Sequence, residues 1–423
     1  MIPASRDIHI TGIGMVTPLG IGKTPSWDGF CQGRSGIGPI HSYDATHEPV
    51  RIAAEVADFD QAFAKKIRLP FRHRYARVTC LALYAGQEAI EDSGLEFDHE
   101  DMSRIGVVMG VGAGPLHYMG PVEEAMRQGR AEIDKIIDQN FVVKTMFNAS
   151  ASMLCIRHGL EGPSTTVSAA CASGAHAVAL AMSWLETGQV DVVLAGATDS
   201  TVTKHTLLAY YRAGALSAAN ELGAAACRPF DRDRSGFIMG EGAAVLVLES
   251  GRHARKRGAR GYARLLGSAL VSEAYQLVAP RPDGETMART MRLALANAKI
   301  AADQVAYINA HAPSTPLGDL AEAKAIRTVF GNTLAKLPVT APKSMMGHPI
   351  GASSAIQIAL TAMSIRDSIV TPTIHLDHPD PQIELPWIPH RALELPVPFA
   401  ICNAFGFGGH NACVVLGAGP ISE

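Results

Sequence analysis

A chain of 423 residues that is 47% hydrophobic and 18% charged, with 40 glycines and a net charge of −3, holds enough apolar sequence for one or two well-buried domains. That balance excludes a disordered chain and gives no global charge for binding nucleic acid. Seven scattered cysteines without a CxxC pair, no basic-then-apolar leader and no long uncharged apolar run argue against a disulfide framework, a zinc site, secretion and a membrane span, so the expectation is a soluble, cytoplasmic protein.

In chain order, Asp7 to Val16 alternates β-branched and small residues and reads as a first strand ending in a Gly-rich turn. Trp27 to Arg34 reads as a helix and Arg51 to Phe59 as a strand. A basic segment follows that includes Arg72, Arg74 and Arg77; on its own it reads as a solvated loop. Tyr75 to Ser93 carries apolar residues at helical spacing and stops at Gly94. Ile105 to Gly110 is a continuous apolar run of strand length, as in a parallel sheet covered on both faces, and opens into Gly112-Ala113-Gly114.

Thr165 to Ser168 predicts a short strand, and Ala172 to Leu185 a helix with almost no charge, which marks it as buried. Cys171 therefore stands where a strand turns into a buried helix. The free N–H groups and positive dipole end there favour a thiolate, and small neighbours leave the sulfur approachable. A single buried cysteine is more often core packing than chemistry, so the rest of the chain has to decide.

Asp191 to Gly196 and Ala243 to Glu249 are further buried strands, the second fed by a polar loop from Arg228 to Gly242. Beyond the basic stretch Gly251 to Gly261 the same order of elements returns. It runs through a strand at Tyr262 to Val271, a helix at Thr286 to Lys299 and a strand at Val305 to Ala310 that ends at His311. Lys343 and His348 then precede an Ala/Ser/Ile-rich helix, Gly351 to Ile365, and a Gly-rich turn, Phe399 to Asn411, feeds a last strand. This self-similarity predicts a duplicated α/β unit, with residues 1–255 and 256–423 as its halves and parallel sheets enclosing apolar helices. Cys171, His311 and His348 each fall at a strand end, where α/β proteins bind ligands, but spacing alone does not bring them together.

Four ordered motifs carry a resemblance: VSAACASGAHA at Cys171, NAHAPSTPLGD at His311, KSMMGHPIGAS at Lys343 and His348, and NAFGFGGHNA at Phe407. They resemble the β-ketoacyl-acyl-carrier-protein synthases of the thiolase superfamily, most of all the elongating type II condensing enzymes of fatty acid and polyketide synthesis. RPFDRDRSGFIMGEGAAVLVLE fits the same pattern, and the likeness runs from Ile8 to Val415. It implies an α/β, thiolase-like fold whose two halves form a five-layered αβαβα sandwich. It also implies a reaction, the decarboxylative condensation of an acyl group with malonyl-acyl-carrier protein to give a β-ketoacyl product two carbons longer.

The resemblance implies roles for single positions. Cys171 is the nucleophile, activated by the helix end without a strong base; its N–H and that of Phe407 form an oxyanion hole, and Phe407 is also a gate. His311 and His348 hold the malonyl carbonyl as neutral donors, and Lys343 with Asp319 and Glu322 forms a buried charged cluster that positions both histidines. Thr315, Pro313, His410 and Ala113 border the pantetheine or acyl chain, and Arg72, Arg74 and Arg77 face the acidic carrier protein. No metal or organic cofactor is implied beyond the carrier's phosphopantetheine. The expected partners are an acyl carrier protein and a second copy in a homodimer through Phe141 to Ser152, with a heterodimer as the other possibility.

Four departures from the family pattern point to a specialised pathway. Pro313 replaces a threonine near the pantetheine, His410 adds an imidazole after the gate, Gln357 stands where a glutamate is usual, and Pro349 follows the second histidine. Two other readings stay open: an acyltransferase or cyclase using Cys171, and a non-catalytic chain-length partner subunit, against which the cysteine counts.

Overall fold

The computed structural model describes residues 7–68, 75–385 and 391–419. The main strands are β1 (Ile8–Thr17), β2 (Ile105–Gly110), β3 (Ser164–Val167), β4 (Val192–Ser200), β5 (Glu241–Ser250), β6 (Ala263–Ser272), β7 (Tyr307–Asn309), β8 (Val339–Thr340), β9 (Phe399–Gly406) and β10 (His410–Gly417). The helices that matter for the site are α1 (Arg77–Ser93), α2 (Ala149–His158), α3 (Ser173–Glu186), α4 (Lys204–Arg212), α5 (Glu285–Ala298), α6 (Pro316–Phe330), α7 (Lys343–Met346) and α8 (Ala352–Asp367).

The strands follow one path, β8-β7-β9-β10-β6-β1-β5-β4-β2-β3. Read outward from β1, the first half runs first, fifth, fourth, second and third strand; read outward from β6, the second half repeats that order. The senses repeat too. In each half the fourth, second and third strands are parallel, while the first and fifth join antiparallel. The sequence expectation of parallel sheets is thereby corrected: the tight Gly406–His410 turn makes β9 and β10 a hairpin, and β4–β5 is its counterpart. A short antiparallel contact, Ile8–Ile10 against Ala263–Leu265, joins the halves.

Alternation along β5 shows how the layers form. Ala244, Leu246 and Leu248 enter the central core, whereas Ala243, Val245 and Val247 enter an outer core under α1 and α2. Both faces of the strand are covered, so it reads as one apolar run. A second outer core lies under α5 and α6. Between the two halves run α3 and α8, and α8 is buried from Ala352 to Ile365. The order helix, sheet, helix, sheet, helix gives five layers.

Small residues allow the two central helices to meet. A Cβ on Gly174 would lie 2.5 Å from the Ala355 nitrogen, and the Ala175 N–H donates to Ser354 Oγ at 3.0 Å. Their N-termini therefore converge, and this carries the turns at Cys171 and His348 to one place. The strand expected at Arg51 to Phe59 shrinks to Ile52–Ala53, paired with Gly38–Pro39. The first helix is Lys23–Cys31, displaced toward the N-terminus from the predicted Trp27 to Arg34.

Candidate active site

Each turn of the site is enforced by nameable local chemistry. Ala169 and Cys171 bridge across Ala170, whose φ of 47° lies in the left-handed region. That conformation costs about 1 kcal/mol or more for a residue with a Cβ, so the surroundings must hold it. Ser173 does so, its hydroxyl accepting from the Ala169 N–H at 2.9 Å and donating to the Ala170 carbonyl at 2.7 Å. Cys171 is thus set at the head of α3.

His311 follows β7 in a turn with left-handed Ala312 (φ 23°) and Ser314 (φ 78°). Two carboxylates of α6 hold it. Glu322 accepts from the His311 and Ala312 N–H groups at 2.9 and 2.7 Å, and Asp319 accepts from Ser314 and Thr315, both at 3.1 Å. His348 follows α7; its N–H donates to the Ile238 carbonyl at 2.7 Å, and its own carbonyl accepts from Gly240 at 3.0 Å.

These turns bring one donor atom each of Cys171, His311 and His348 within 4.8 Å of one another. His348 Nε2 lies 3.1 Å from Cys171 Sγ, and the two imidazoles meet edge to face at 5.6 Å. Lys343 Nζ donates to the His311 carbonyl at 2.5 Å and to Gln357 Oε1 at 2.6 Å, and it stands 3.5 Å from His311 Nδ1. An ammonium facing Nδ1 makes that nitrogen the acceptor, which leaves the ring proton on Nε2. His348 Nδ1 is buried with no partner among the described residues, so its tautomer is free to follow what occupies Nε2.

Burial, assisted by Lys343, holds both imidazoles well below their usual range, so both are neutral. Burial also draws Lys343 down to about 8. It pushes the Cys171 thiol up to about 11, while Lys343 and the Phe407 N–H pull the other way. The expectation that the helix end alone keeps a thiolate is therefore corrected. Desolvation outweighs the dipole, the resting group is a thiol, and its proton has an imidazole 3.1 Å away to accept it. Cysteine and two histidines are also donors for a thiophilic divalent ion, which would tie up the sulfur there.

The β9–β10 turn closes the site. A Cβ on Gly406 would fall 2.7 Å from the Ala169 carbonyl and 3.2 Å from the Cys171 nitrogen, so only glycine lets this turn lie against Cys171. The Phe407 N–H then points at the Cys171 sulfur. A cavity of about 400 Å³ reaches the three groups and is lined also by Pro313, Thr315 and Phe407.

Other expected residues are distributed differently. Thr315 lines the cavity, yet its hydroxyl also accepts from Gly318 N–H as the cap of α6. Ala113 packs half-buried near Cys171 and Phe407. Glu322 and Asp319 hold the His311 turn and do not bond His348, which narrows the role expected for them. Gln357 does not simply remove a charge; its Oε1 accepts from Lys343 and its Nε2 donates to Asn309 and Ala310. His410 is an exposed residue whose ring meets His176 at 5.9 Å, and it does not line the cavity. Arg77 is spoken for: its guanidinium forks onto Glu241 at 2.6 and 2.8 Å, so it is not a free docking cation. Arg72 and Arg74 lie outside the described residues.

Two groups near the sulfur escaped sequence reasoning. Asp199, at the end of β4, accepts from Gly112, Ala113, Gly114 and Gly351 at 2.7 to 3.2 Å, tying a loop of the first half to the turn after His348. Burial raises its carboxyl to about 6 against those four N–H groups. An acid closing an otherwise apolar strand was the available signal. Tyr210 on α4 lines the cavity, and a mixed run such as KHTLLAYYR offers no periodicity to flag it.

Residues 5–254 match the family described as Beta-ketoacyl synthase, N-terminal domain, and residues 262–377 match Beta-ketoacyl synthase, C-terminal domain. The chain is 36% identical to 3-oxoacyl-acyl-carrier-protein synthase 2 of Vibrio harveyi over 98% of its own length and 99% of that protein's. It is 36% identical to the protein of the same name from Coxiella burnetii over 97% and 98%. Among solved structures, the ishigamide ketosynthase/chain length factor superposes with a TM-score of 0.90 at 31% identity, covering 98% of this chain and 99% of that one. A type II PKS acyl-carrier protein in complex with its ketosynthase bound to the hexaketide gives 0.87 at 30%, covering 98% and 100%. The chain belongs to the β-ketoacyl synthase family.

Proposed function

We propose that this protein condenses an acyl group held on Cys171 with malonyl-acyl-carrier protein, and the observation that carries this is the Sγ to Nε2 contact of 3.1 Å beside a second neutral imidazole. His348 Nε2 takes the thiol proton as the sulfur attacks the acyl thioester. The tetrahedral oxyanion finds the Cys171 and Phe407 N–H groups, and the proton passes to the departing pantetheine sulfur. When malonyl thioester follows, its carbonyl accepts from Nε2–H of His311 and of His348, whose unpartnered Nδ1 permits that tautomer. Loss of CO2 then leaves an enolate held by two donors. Its α-carbon attacks the Cys171 thioester, the sulfur leaves as thiolate and is reprotonated, and a β-ketoacyl-carrier product two carbons longer departs.

Neutral donors suit this step, because an imidazolium would hold the malonyl carboxylate instead of letting it leave as CO2. Burial keeps them neutral and the Lys343 charge adds to it, while Pro313 and Thr315, whose hydroxyl caps α6, leave fewer free hydroxyls toward the pantetheine. The acyl carrier protein is the partner, and the chain pairs as a homodimer. Support for pairing comes from exposed apolar side chains at Met126, Val142 and Ile156, the last on α2, which packs beside β3 at the edge of the sheet. Among the described residues no helix is long and apolar enough to cross a membrane.

Intact mass measurement tests the reading. Acyl-carrier protein should leave an acyl adduct on Cys171 that disappears when malonyl-carrier protein is added, with a β-keto product two carbons longer. An adduct that ignores malonyl carrier and passes to another acceptor would establish the acyltransferase instead.

A further inference from the structure

Tyr210 lines the cavity and carries a hydroxyl that no group among the described residues uses. Its ring stacks on Phe407 at 6.1 Å and 28° and meets Phe237 edge-on at 5.8 Å, and Phe237 meets His348 at 4.9 Å. An aromatic row thus runs from the turn over the sulfur to the imidazole beside it, and Tyr210 is fixed within that row. Its side chain lines the cavity with Cys171, and among the described residues its hydroxyl makes no hydrogen bond. The hydroxyl oxygen is not one of the sealed, partnerless atoms of the interior, so it is open to solvent on a residue that lines the cavity. Cys171 and Asp199 both lie close enough to influence the phenol's ionisation, near the sulfur and near the loop that Asp199 holds at Ala113. Burial pushes its pKa up, so it remains a protonated donor.

We infer that Tyr210 is a specificity-determining residue that donates a hydrogen bond to an oxygen on the acyl group carried by Cys171. The preferred acyl group then bears a keto or hydroxyl substituent within a few carbons of the thioester and is not a plain alkyl chain. This rests on the condensing reading above. The physical argument is desolvation. An alkyl chain entering the cavity strips water from the phenol and offers no acceptor, whereas an oxygenated chain replaces the lost hydrogen bond. Phenylalanine would keep the same stack and edge contacts without that loss, so discrimination resides in the hydroxyl alone.

The experiment measures the second-order rate of Cys171 acylation, by mass, for octanoyl-, 3-hydroxyoctanoyl- and 5-oxooctanoyl-carrier protein. The protein should load the better oxygenated probe roughly five- to tenfold faster than octanoyl, as one net hydrogen bond allows. Tyr210→Phe should bring that ratio close to one. Damage to folding or to the nucleophile slows all three probes and leaves the ratio intact, so an unchanged ratio in Tyr210→Phe overturns the proposal. A ratio of one or below in the unaltered protein overturns it without the variant. Absence of an adduct with every probe would overturn the condensing reading itself, and this inference with it.

Discussion

Lys343 is a fully buried ammonium whose direct partners are a backbone carbonyl and an amide oxygen, with Glu322 as the opposing charge that acts on it most strongly. Burial lowers its pKa to about 8, so its charge is lost as pH rises through that value. With the charge goes the field that fixes the His311 tautomer, and malonyl decarboxylation should fall above about pH 8. Stability should not fall with it on this group's account. The folded lysine binds its proton less tightly than the unfolded one, whose pKa is about 10.4, so its contribution to stability rises over that window. A rate profile and a melting profile over pH 7 to 9 would separate the two, and a joint collapse would contradict this assignment. Gln357→Glu puts a carboxylate against the ammonium and should move the alkaline limb of the rate upward by about one pH unit or more. An unmoved limb would show that another group titrates there.

Single residues differ in how plainly the sequence marks them. Cys171, His311, Lys343 and His348 were legible because each sits in a motif with small or glycine neighbours. Asp199 and Tyr210 were not, since their importance lies in what approaches them in space. Arg77 misled for the converse reason: a basic run reads as a surface, and only Glu241, 164 positions away, shows that this guanidinium is committed.

Among elements, α3 and α8 decide whether the site forms. Gly174 has Ala355 backbone 2.5 Å from where a Cβ would be, so any side chain must push the two helices apart. Gly174→Val should therefore destabilise by about 3 kcal/mol or more and lower Cys171 acylation, read from denaturant midpoints and adduct rates. A variant with unaltered stability would show that the helices do not pack as described. The burial of both helices was legible from their lack of charge. The mixed sheet was not, because apolar strands covered on both faces look alike whatever their sense. The Arg51 to Phe59 strand failed since pairing stops at Ile52–Ala53 and a single bridge from Ala54 to Gly240, while Asp58 takes a left-handed φ of 53° that ends extended structure before Phe59.

At the scale of the molecule, duplication explains why the chemistry is split. The first half brings the Cys171 thiol and the second brings the imidazoles of His311 and His348 and the ammonium of Lys343. The repeated strand order places both sets of turns at the same end of the sandwich. The repeat was visible in the order of strand and helix signals, whereas the short β1–β6 contact that joins the halves has no signature of its own. The same architecture leaves β3 at an edge of the sheet beside α2, whose exposed Ile156, with exposed Val142, a second copy would cover. Light scattering should give twice the chain mass of 44.7 kDa, and Val142→Asp should shift it toward one. A monomer at micromolar concentration would remove the homodimer.

In the proposed reaction Cys171 and His311 serve different steps within one cavity. Loading His311→Ala with acyl-carrier protein and then adding malonyl-carrier protein, while following the Cys171 adduct and CO2 together, tests it most directly. The variant should still form the acyl adduct, because His348 remains at the sulfur, but should release CO2 at least a hundredfold more slowly for want of one enolate donor, about 3 kcal/mol. Release of CO2 at the unaltered rate, or loss of the adduct in a folded protein, would contradict it.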